Sequence, residues 1–434
     1  MIDGKYTVVS TFSGCGGSSM GYRLAGFKVL AANEFIPIAA DTYERNFPGT
    51  HVFREDIRAL NAGMIFGVTG LKEGELDLLD GSPPCASFST SGKREQSWGK
   101  VKRYSETTQR VDDLFFEYVR LIGQVQPKTF VAENVAGMAI GVAKAVFDEV
   151  TELFKRQGYR VACRRLESQF FGVPQKRRRL IWVGVREDLC AARGVEPSHP
   201  KPQTRPISFR EATADLELTT EDLGPAMMRE TSADGKKELE SWTLAMKMKP
   251  GQVGSDYHPK GHYFNLVRAS FDKPVPTILQ MHGSIQGAGV LHPTQMRKLT
   301  IKEIKRCFGF MDDFVLLGDF AQQWERLGRC VPPPMMRAIA LHIRHVVLDK
   351  IYGVENDYRP TFYDPDDASG QNTFSFLSDV TEFKRIRESD QPLEALIAVR
   401  ENIMAGVTAG DLSEELSELE EAGLFIDDAE KSHG

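Results

Sequence analysis

Residues 7–35 read TVVSTFSGCGGSSMGYRLAGFKVLAANEF. A β-branched apolar run ends in a glycine-rich turn, a helical stretch follows, and a second apolar run ends in Asn33-Glu34-Phe35. Strand, turn, helix and strand in that order predict the first unit of a parallel sheet covered on both faces. Gly14, Gly16 and Gly17 let the backbone pass close to a ligand, at the head of a helix beginning near Ser18. Glu34 stands twenty residues after Gly14, the spacing at which a carboxylate can accept hydrogen bonds from both hydroxyls of a ribose. Phe35 can then stack on the base. The competing reading is a tight turn that only joins strand to helix. The spacing is GxGG rather than GxGxxG, which favours a pocket of the S-adenosylmethionine type over a dinucleotide one.

The same alternation continues outward to about residue 186. Further strands are expected at ELDLLDGS (75–82), PKTFVAENV (127–135), YRVACRRL (159–166) and RRLIWVGVR (178–186), with helices at Arg110–Gly123 and Ala143–Gln157. From about Cys190 to Val275 proline and glycine recur and no long helical period is evident. Helical periodicity returns at Thr300–Phe308 and Met335–Lys350. At 434 residues the chain is long for one core, so two or three domains are expected.

The net charge of −6 is unevenly spread. Residues 355–434 hold 20 acidic and 6 basic side chains, a net of −14, which leaves residues 1–354 with 40 acidic and 48 basic, a net of +8. A basic body is compatible with a nucleic-acid partner. The six cysteines are scattered without a CxxC pair, which argues against a disulfide framework and against a metal site. No apolar run approaches the roughly 20 residues of a membrane span, and the start, MIDGKYTVVS, lacks the pattern of a signal peptide. A cytoplasmic, nucleoid-associated monomer without a membrane partner is expected, its acidic tail packing on the body or on a protein partner.

Four stretches carry candidate chemistry. In GSPPCASFST (81–90) two prolines fix φ directly before Cys85, among small residues. That placement suits a rigidly aimed nucleophile, and the alternative is a buried structural thiol. Glu133-Asn134 ends a strand where open α/β sheets keep their ligands; a helix N-cap is the plain alternative. In VPQKRRRLIWVGV, Arg177 and Arg179 alternate toward one face, away from Arg178, unless the stretch is only a solvated basic edge. In FREDIRAL, Asp56 and Ile57 can bracket an adenine amino group and ring face, or Asp56 can sit in a surface turn.

Taken in order, these blocks resemble the cytosine carbon-5 DNA methyltransferases of bacteria and phages. The match runs from FSGCGG through NEF, EDI, GSPPCASFSTSGK, AENVAGM and FGVPQKRRR to RKLTIKEIKRCFGFMDDF and LGRCVPPPMMRAIALHI, from Thr7 to Val347, roughly four fifths of the chain. The resemblance implies an α/β fold: a Rossmann-like methyltransferase domain with a mostly parallel sheet (1–189), a smaller irregular target-recognition domain (190–295), a return to the catalytic domain (296–350) and a helical acidic extension (351–434). It implies an enzyme that moves a methyl group from S-adenosylmethionine to carbon 5 of a flipped cytosine in a specific sequence of double-stranded DNA. Cys85 would add to carbon 6, Glu133 would serve ring nitrogen 3, Asn134 would buttress the site, Arg179 would hold the base carbonyl, and Arg177 would lie near the sulfur or the phosphate. Cofactor contacts would come from Phe12, Ser13, Gly14, Gly16, Gly17, Glu34, Phe35, Asp56, Ile57, Arg329 and Val331. A loop with Ser87, Ser89, Lys93 and Arg94 would close on DNA.

The sequence departs from the family pattern at four places. Ala86 follows the nucleophile where glutamine is usual. Ser10-Thr11 stand where an aspartate usually begins the first block. Arg329 replaces an asparagine expected near the cofactor, and the last 80 residues match nothing in the pattern. A buried Arg329 requires an anion: Glu34, Asp56, Asp312 or Asp313, the cofactor's own carboxylate, or the carboxylate of carboxy-S-adenosylmethionine, in which case the product is 5-carboxymethylcytosine. RNA-directed cytosine methylation is a further alternative. A nicotinamide-dependent oxidoreductase explains the glycine turn and Glu34 but not Cys85, Glu133 and the arginines together.

Overall fold

A computed structural model describes residues 6–84, 101–103, 108–110, 114–140, 144–284 and 287–359. Cys85, Ala86, Ser87, Ser89, Lys93 and Arg94 lie outside the described residues, as does the chain beyond Arg359. The central sheet has seven strands: β1 (Tyr6–Thr11), β2 (Phe27–Asn33), β3 (His51–Phe53), β4 (Leu78–Gly81), β5 (Thr129–Val135), β6 (Tyr159–Glu167) and β7 (Arg178–Arg186). Their spatial order is β3-β2-β1-β4-β5-β7-β6. The first five are parallel, and β7 runs antiparallel to both β5 and β6. The expected mostly parallel α/β sheet is therefore present. The reversal of β7 matters for chemistry, because it brings the beginning of that strand to the carboxyl ends of the others.

Alternation along each strand divides the core in two. Val8, Val29, Leu78 and Val131 face helix α1 (Gly17–Leu24) and the late helix Pro333–His342. Val9, Ala31, Leu79, Phe130 and Ala132 face the helices at Ala62–Thr69, Leu114–Val125 and Lys144–Arg156. Residues 190–295 make mostly short elements. Their small apolar cluster (Met228, Leu244, Met248, Leu266, Leu291) is tied together by Arg268, whose guanidinium donates to the carbonyls of Ala245, His292 and Gln295.

Burial holds four histidines neutral: it lowers His199 to about 3 and His282, His292 and His342 to about 4. Between those values and the ordinary value of 6.5 the unfolded chain binds more protons than the native one. Stability is then full above pH 6.5 and is lost as pH falls toward 4. We expect a loss on the order of 1–2 kcal/mol per histidine by pH 4.5 in denaturant titrations. A flat profile from pH 7 to 5 would contradict this.

The Pro333–His342 helix continues through a π-helical segment, Ile343–Leu348, to Ile351. The packed body does not stop at residue 350. The Tyr352 hydroxyl donates to Asp77, which also pairs with Lys128 at 3.0 Å and accepts from the Thr7 amide at 2.8 Å. Asn356 donates to Asp349 at 2.9 Å, and Tyr358 stacks on His345 with ring centroids 4.4 Å apart. These contacts pin residues 352–358 to the amino edge of the sheet, far from the carboxyl edge. Truncation after Arg359 keeps all of these contacts. Truncation after Asp349 removes hydrogen bonds to two buried carboxylates and is expected to cost about 2–4 kcal/mol. Equal melting of the two truncations would refute the docked segment.

Candidate active site at the carboxyl edge of the sheet

β4 delivers Gly81-Ser82-Pro83-Pro84 to this edge. A Cβ on Gly81 would sit 2.4 Å from the Tyr118 ring, so only glycine lets the strand exit here. The buried Tyr118 hydroxyl lies 2.8 Å from the carbonyls of Leu79 and Val131, clamping β4 to β5. Asn134, near the end of β5, donates to the Pro83 carbonyl at 3.2 Å and accepts from the Val135 amide at 2.8 Å. The segment that leads into Cys85 is thus held two residues before the thiol.

Glu133 and Arg179 meet across the β5–β7 boundary, with Arg179 Nε 2.6 Å from Glu133 Oε1 and both side chains about 10% exposed. Arg178 points the other way and pairs with Glu167. Arg177 is buried, as the alternation requires, but its guanidinium donates to the carbonyls of Ile278 (3.3 Å) and Gly328 (3.0 Å) and covers the Phe308 ring. Arg177 thus has a structural role in this fold. Arg177 bolts β7 to two segments that follow it by a hundred residues or more. Val275–Pro276 also pairs with Gln175–Lys176 there.

On the other side of the edge lies the glycine turn. Phe12, Gly14 and Gly16 take positive φ (53°, 55° and 99°), strain that for Phe12 is uncommon outside functional sites. A Cβ on Gly17 would approach the Val331 carbonyl to 2.3 Å, so α1 begins pressed against Cys330-Val331. Cys15 Sγ lies 2.9 Å from Cys330 Sγ beneath this contact. The Ser13 amide donates to the Asn33 carbonyl at 3.0 Å. Glu34 is buried, with Oε2 accepting from the Gly14 amide and Oε1 from the Ile36 amide, each at 2.8 Å. Burial raises its pKa, opposed by those amides and by the charges of Arg326 and Arg329. The two bonds leave lone pairs on both carboxylate oxygens. Above Gly14 there is open space, since a Cβ there would meet nothing within 4 Å. A nucleoside with free ribose hydroxyls fits this donor and acceptor set.

Phe35 is partly buried at the same end of β2. Asp56 is half-buried and bonded to Arg58 at 3.0 Å, while Ile57 is buried in the core. Arg329 forms an ion pair with an acid outside the four expected. It pairs with Glu325, one turn back on the helix Phe320–Arg329, and Asp312 is occupied by Arg306. An i, i+4 acid in AQQWERLGR was the available signal. The sequence reading also missed Asp80, a buried acid in β4 that accepts from Ser10 and Tyr22. Its signal was a charge closing the apolar run LDLL. Among the described residues no group of three or more His, Cys, Asp or Glu is placed to hold a metal, and no helix is long and apolar enough to cross a membrane.

Comparison with known proteins agrees with this geometry. The family model for C-5 cytosine-specific DNA methylases matches residues 6–345. Type II methyltransferase M1.HphI of Haemophilus parahaemolyticus is 32% identical over 340 residues, covering 77% of this chain and 85% of the relative. The crystal structure of a prophage-encoded DNA modification methyltransferase of E. coli superposes with a TM-score of 0.59 at 21% identity, covering 79% and 99% of the two chains. The S. pombe Dnmt2 methyltransferase does so with a TM-score of 0.53 at 18% identity, over 78% and 98%. With five parallel strands and an antiparallel β7 aiming Arg179 at Glu133, and with the match running from β1 to residue 345, the chain belongs to the C-5 cytosine-specific DNA methylase family.

Proposed function

We propose that the chain methylates carbon 5 of a flipped cytosine within a specific sequence of double-stranded DNA, through a covalent Cys85 adduct, as a methyltransferase of the restriction–modification type. The observation that carries this reading is the Glu133–Arg179 pair at 2.6 Å, beside the Pro83 carbonyl that Asn134 holds. Carbon 5 of cytosine is a weak nucleophile. Addition of the Cys85 thiolate to carbon 6 gives an enamine whose carbon 5 can attack an electrophilic methyl group. Glu133 holds a proton at ring nitrogen 3, so that charge does not build up during addition. Arg179, its charge matched by Glu133, donates to the base carbonyl and fixes the ring plane. Loss of the proton from carbon 5 then expels the thiolate. Because the target atom is inaccessible in the stack, the base must be extruded.

The turn Ser13–Gly17, Glu34 and Val331 would hold S-adenosylmethionine, which when bound supplies the methyl group as a sulfonium. The ion pair of Arg329 with Glu325 supports this ordinary cofactor, since Arg329 is matched without an anionic transferable group. The basic excess of residues 1–354 supports a DNA partner.

Bisulfite sequencing of host DNA from cells expressing the chain tests the proposal. Protected cytosines are expected at one short motif, and uniform conversion would refute it. Competition between S-adenosylmethionine and its carboxy analogue, read by mass spectrometry of the product base, is expected to give only 5-methylcytosine with the wild type and with Arg329→Asn. A carboxymethyl product would overturn the cofactor assignment.

A further inference from the structure

We infer that Asp80 is a positioning residue of the cofactor site, a carboxylate clasp that closes both ends of the glycine turn from the neighbouring strand. The inference rests on the reading that this turn receives S-adenosylmethionine. Ser10 and Asp80 are register partners on the parallel strands β1 and β4. Asp80 Oδ2 accepts from the Ser10 hydroxyl at 2.7 Å, where β1 leaves the sheet. Oδ1 accepts from the Tyr22 hydroxyl of α1 at 3.0 Å. One side chain therefore grips the strand that enters the turn and the helix that leaves it. The turn itself is tied to the same point, since Ser13 Oγ donates to the Ser10 carbonyl at 2.8 Å and Thr11 Oγ1 to the Asp80 carbonyl at 2.9 Å.

Two peculiarities of the sequence become one. The first block lacks its usual aspartate and has Ser10, and the residue opposite Ser10 on β4 is an acid in a position that strand alternation assigns to the core. Here a carboxylate on β4, facing Ser10 across one strand pair, serves the turn. Such a group is costly to bury without hydrogen bonds. Burial pushes the Asp80 carboxyl up to about 7, opposed by the bonds from Ser10 and Tyr22. The backbone it steadies needs a clasp, since Phe12, Gly14 and Gly16 all hold positive φ within five residues.

The test is a positional exchange on the full chain. Cofactor affinity is measured by calorimetry without DNA, KM and kcat are measured with DNA, and folding is followed by thermal melting. Asp80→Val leaves the hydroxyls of Ser10 and Tyr22 without their acceptor. It is expected to weaken S-adenosylmethionine binding, and to raise its KM, about 10- to 100-fold, with kcat and DNA affinity changed less than about threefold. Adding Ser10→Asp to Asp80→Val returns a carboxylate from the opposite strand and is expected to restore affinity to within about fivefold of wild type. Ser10→Asp alone sets two acids face to face and is expected to weaken binding. If Asp80→Val does not fold, the isosteric Asp80→Asn and the double variant carry the test: recovery of folding without recovery of cofactor affinity would reduce Asp80 to a core residue and overturn the inference. So would a folded Asp80→Val that binds the cofactor as wild type does. A wild type that binds no S-adenosylmethionine would instead refute the functional reading on which the inference rests.

Discussion

Cys85→Ser is expected to lower methyl transfer by about 10⁴-fold or more while leaving DNA affinity within about tenfold of wild type. A thiol loses its proton near neutral pH far more readily than an alcohol, and addition to carbon 6 needs the anion. The surroundings of the variant would not change its chances. The Asn134 bond to the Pro83 carbonyl, and the close approach of Gly81 to Tyr118, fix the path of the chain whichever side chain follows. A stronger form of the experiment places 5-fluorocytosine in the target. After methyl transfer no proton can leave carbon 5, so wild-type protein is expected to remain attached to DNA through residue 85, and the serine variant is not. Turnover by the serine variant at the wild-type rate would end the covalent mechanism.

Glu133→Gln is the second large effect. The amide keeps an acceptor for Arg179 but cannot supply a proton to ring nitrogen 3, so kcat is expected to fall about 10²- to 10⁴-fold with the fold retained. Arg179→Ala removes the partner instead and leaves Glu133 desolvated and unmatched, which is expected to cost about 3–5 kcal/mol of stability as well as activity. Arg177→Ala separates the two arginines. Because Arg177 holds main-chain carbonyls at Ile278 and Gly328, its loss is expected to appear first in the melting temperature. Full activity in folded Glu133→Gln would remove the carboxyl from the chemistry.

What the sequence made legible was whatever local pattern controls. Apolar alternation located the long strands, and glycines at Gly14 and Gly16 marked a turn that positive φ confirms. From local pattern alone Glu133 and Arg179 were legible as two separate strand ends, and only the family resemblance placed them on one base. Their contact depends on β7 running backwards, which no local period encodes. Arg177 shows the same limit from the other side. Alternation put it on the same face as Arg179, yet its partners are carbonyls of Ile278 and Gly328, and backbone acceptors leave no trace in residue type. Asp56 and Arg329 also take partners within one turn, Arg58 and Glu325, which the sequence reading had not paired with them. Asp80 was passed over since an acid at the end of a strand reads as solvent-facing until the helix that covers it is known.

The bolt formed by Arg177 also sets the order in which this protein can come into being. Gly21 of α1 lies against Pro333, Met336 and Arg337, and Cys15 against Cys330, so the first helix of the chain has its packing partner among the last. During synthesis β1 to β5 emerge long before the segments that cover α1 and receive the Arg177 guanidinium. Closing such distant contacts is slow, and until then the apolar face of α1 lies bare. A growing chain therefore carries its thiol and its glutamate for most of its synthesis without a finished pocket around them. The pocket is finished only when the helix Pro333–His342 has emerged.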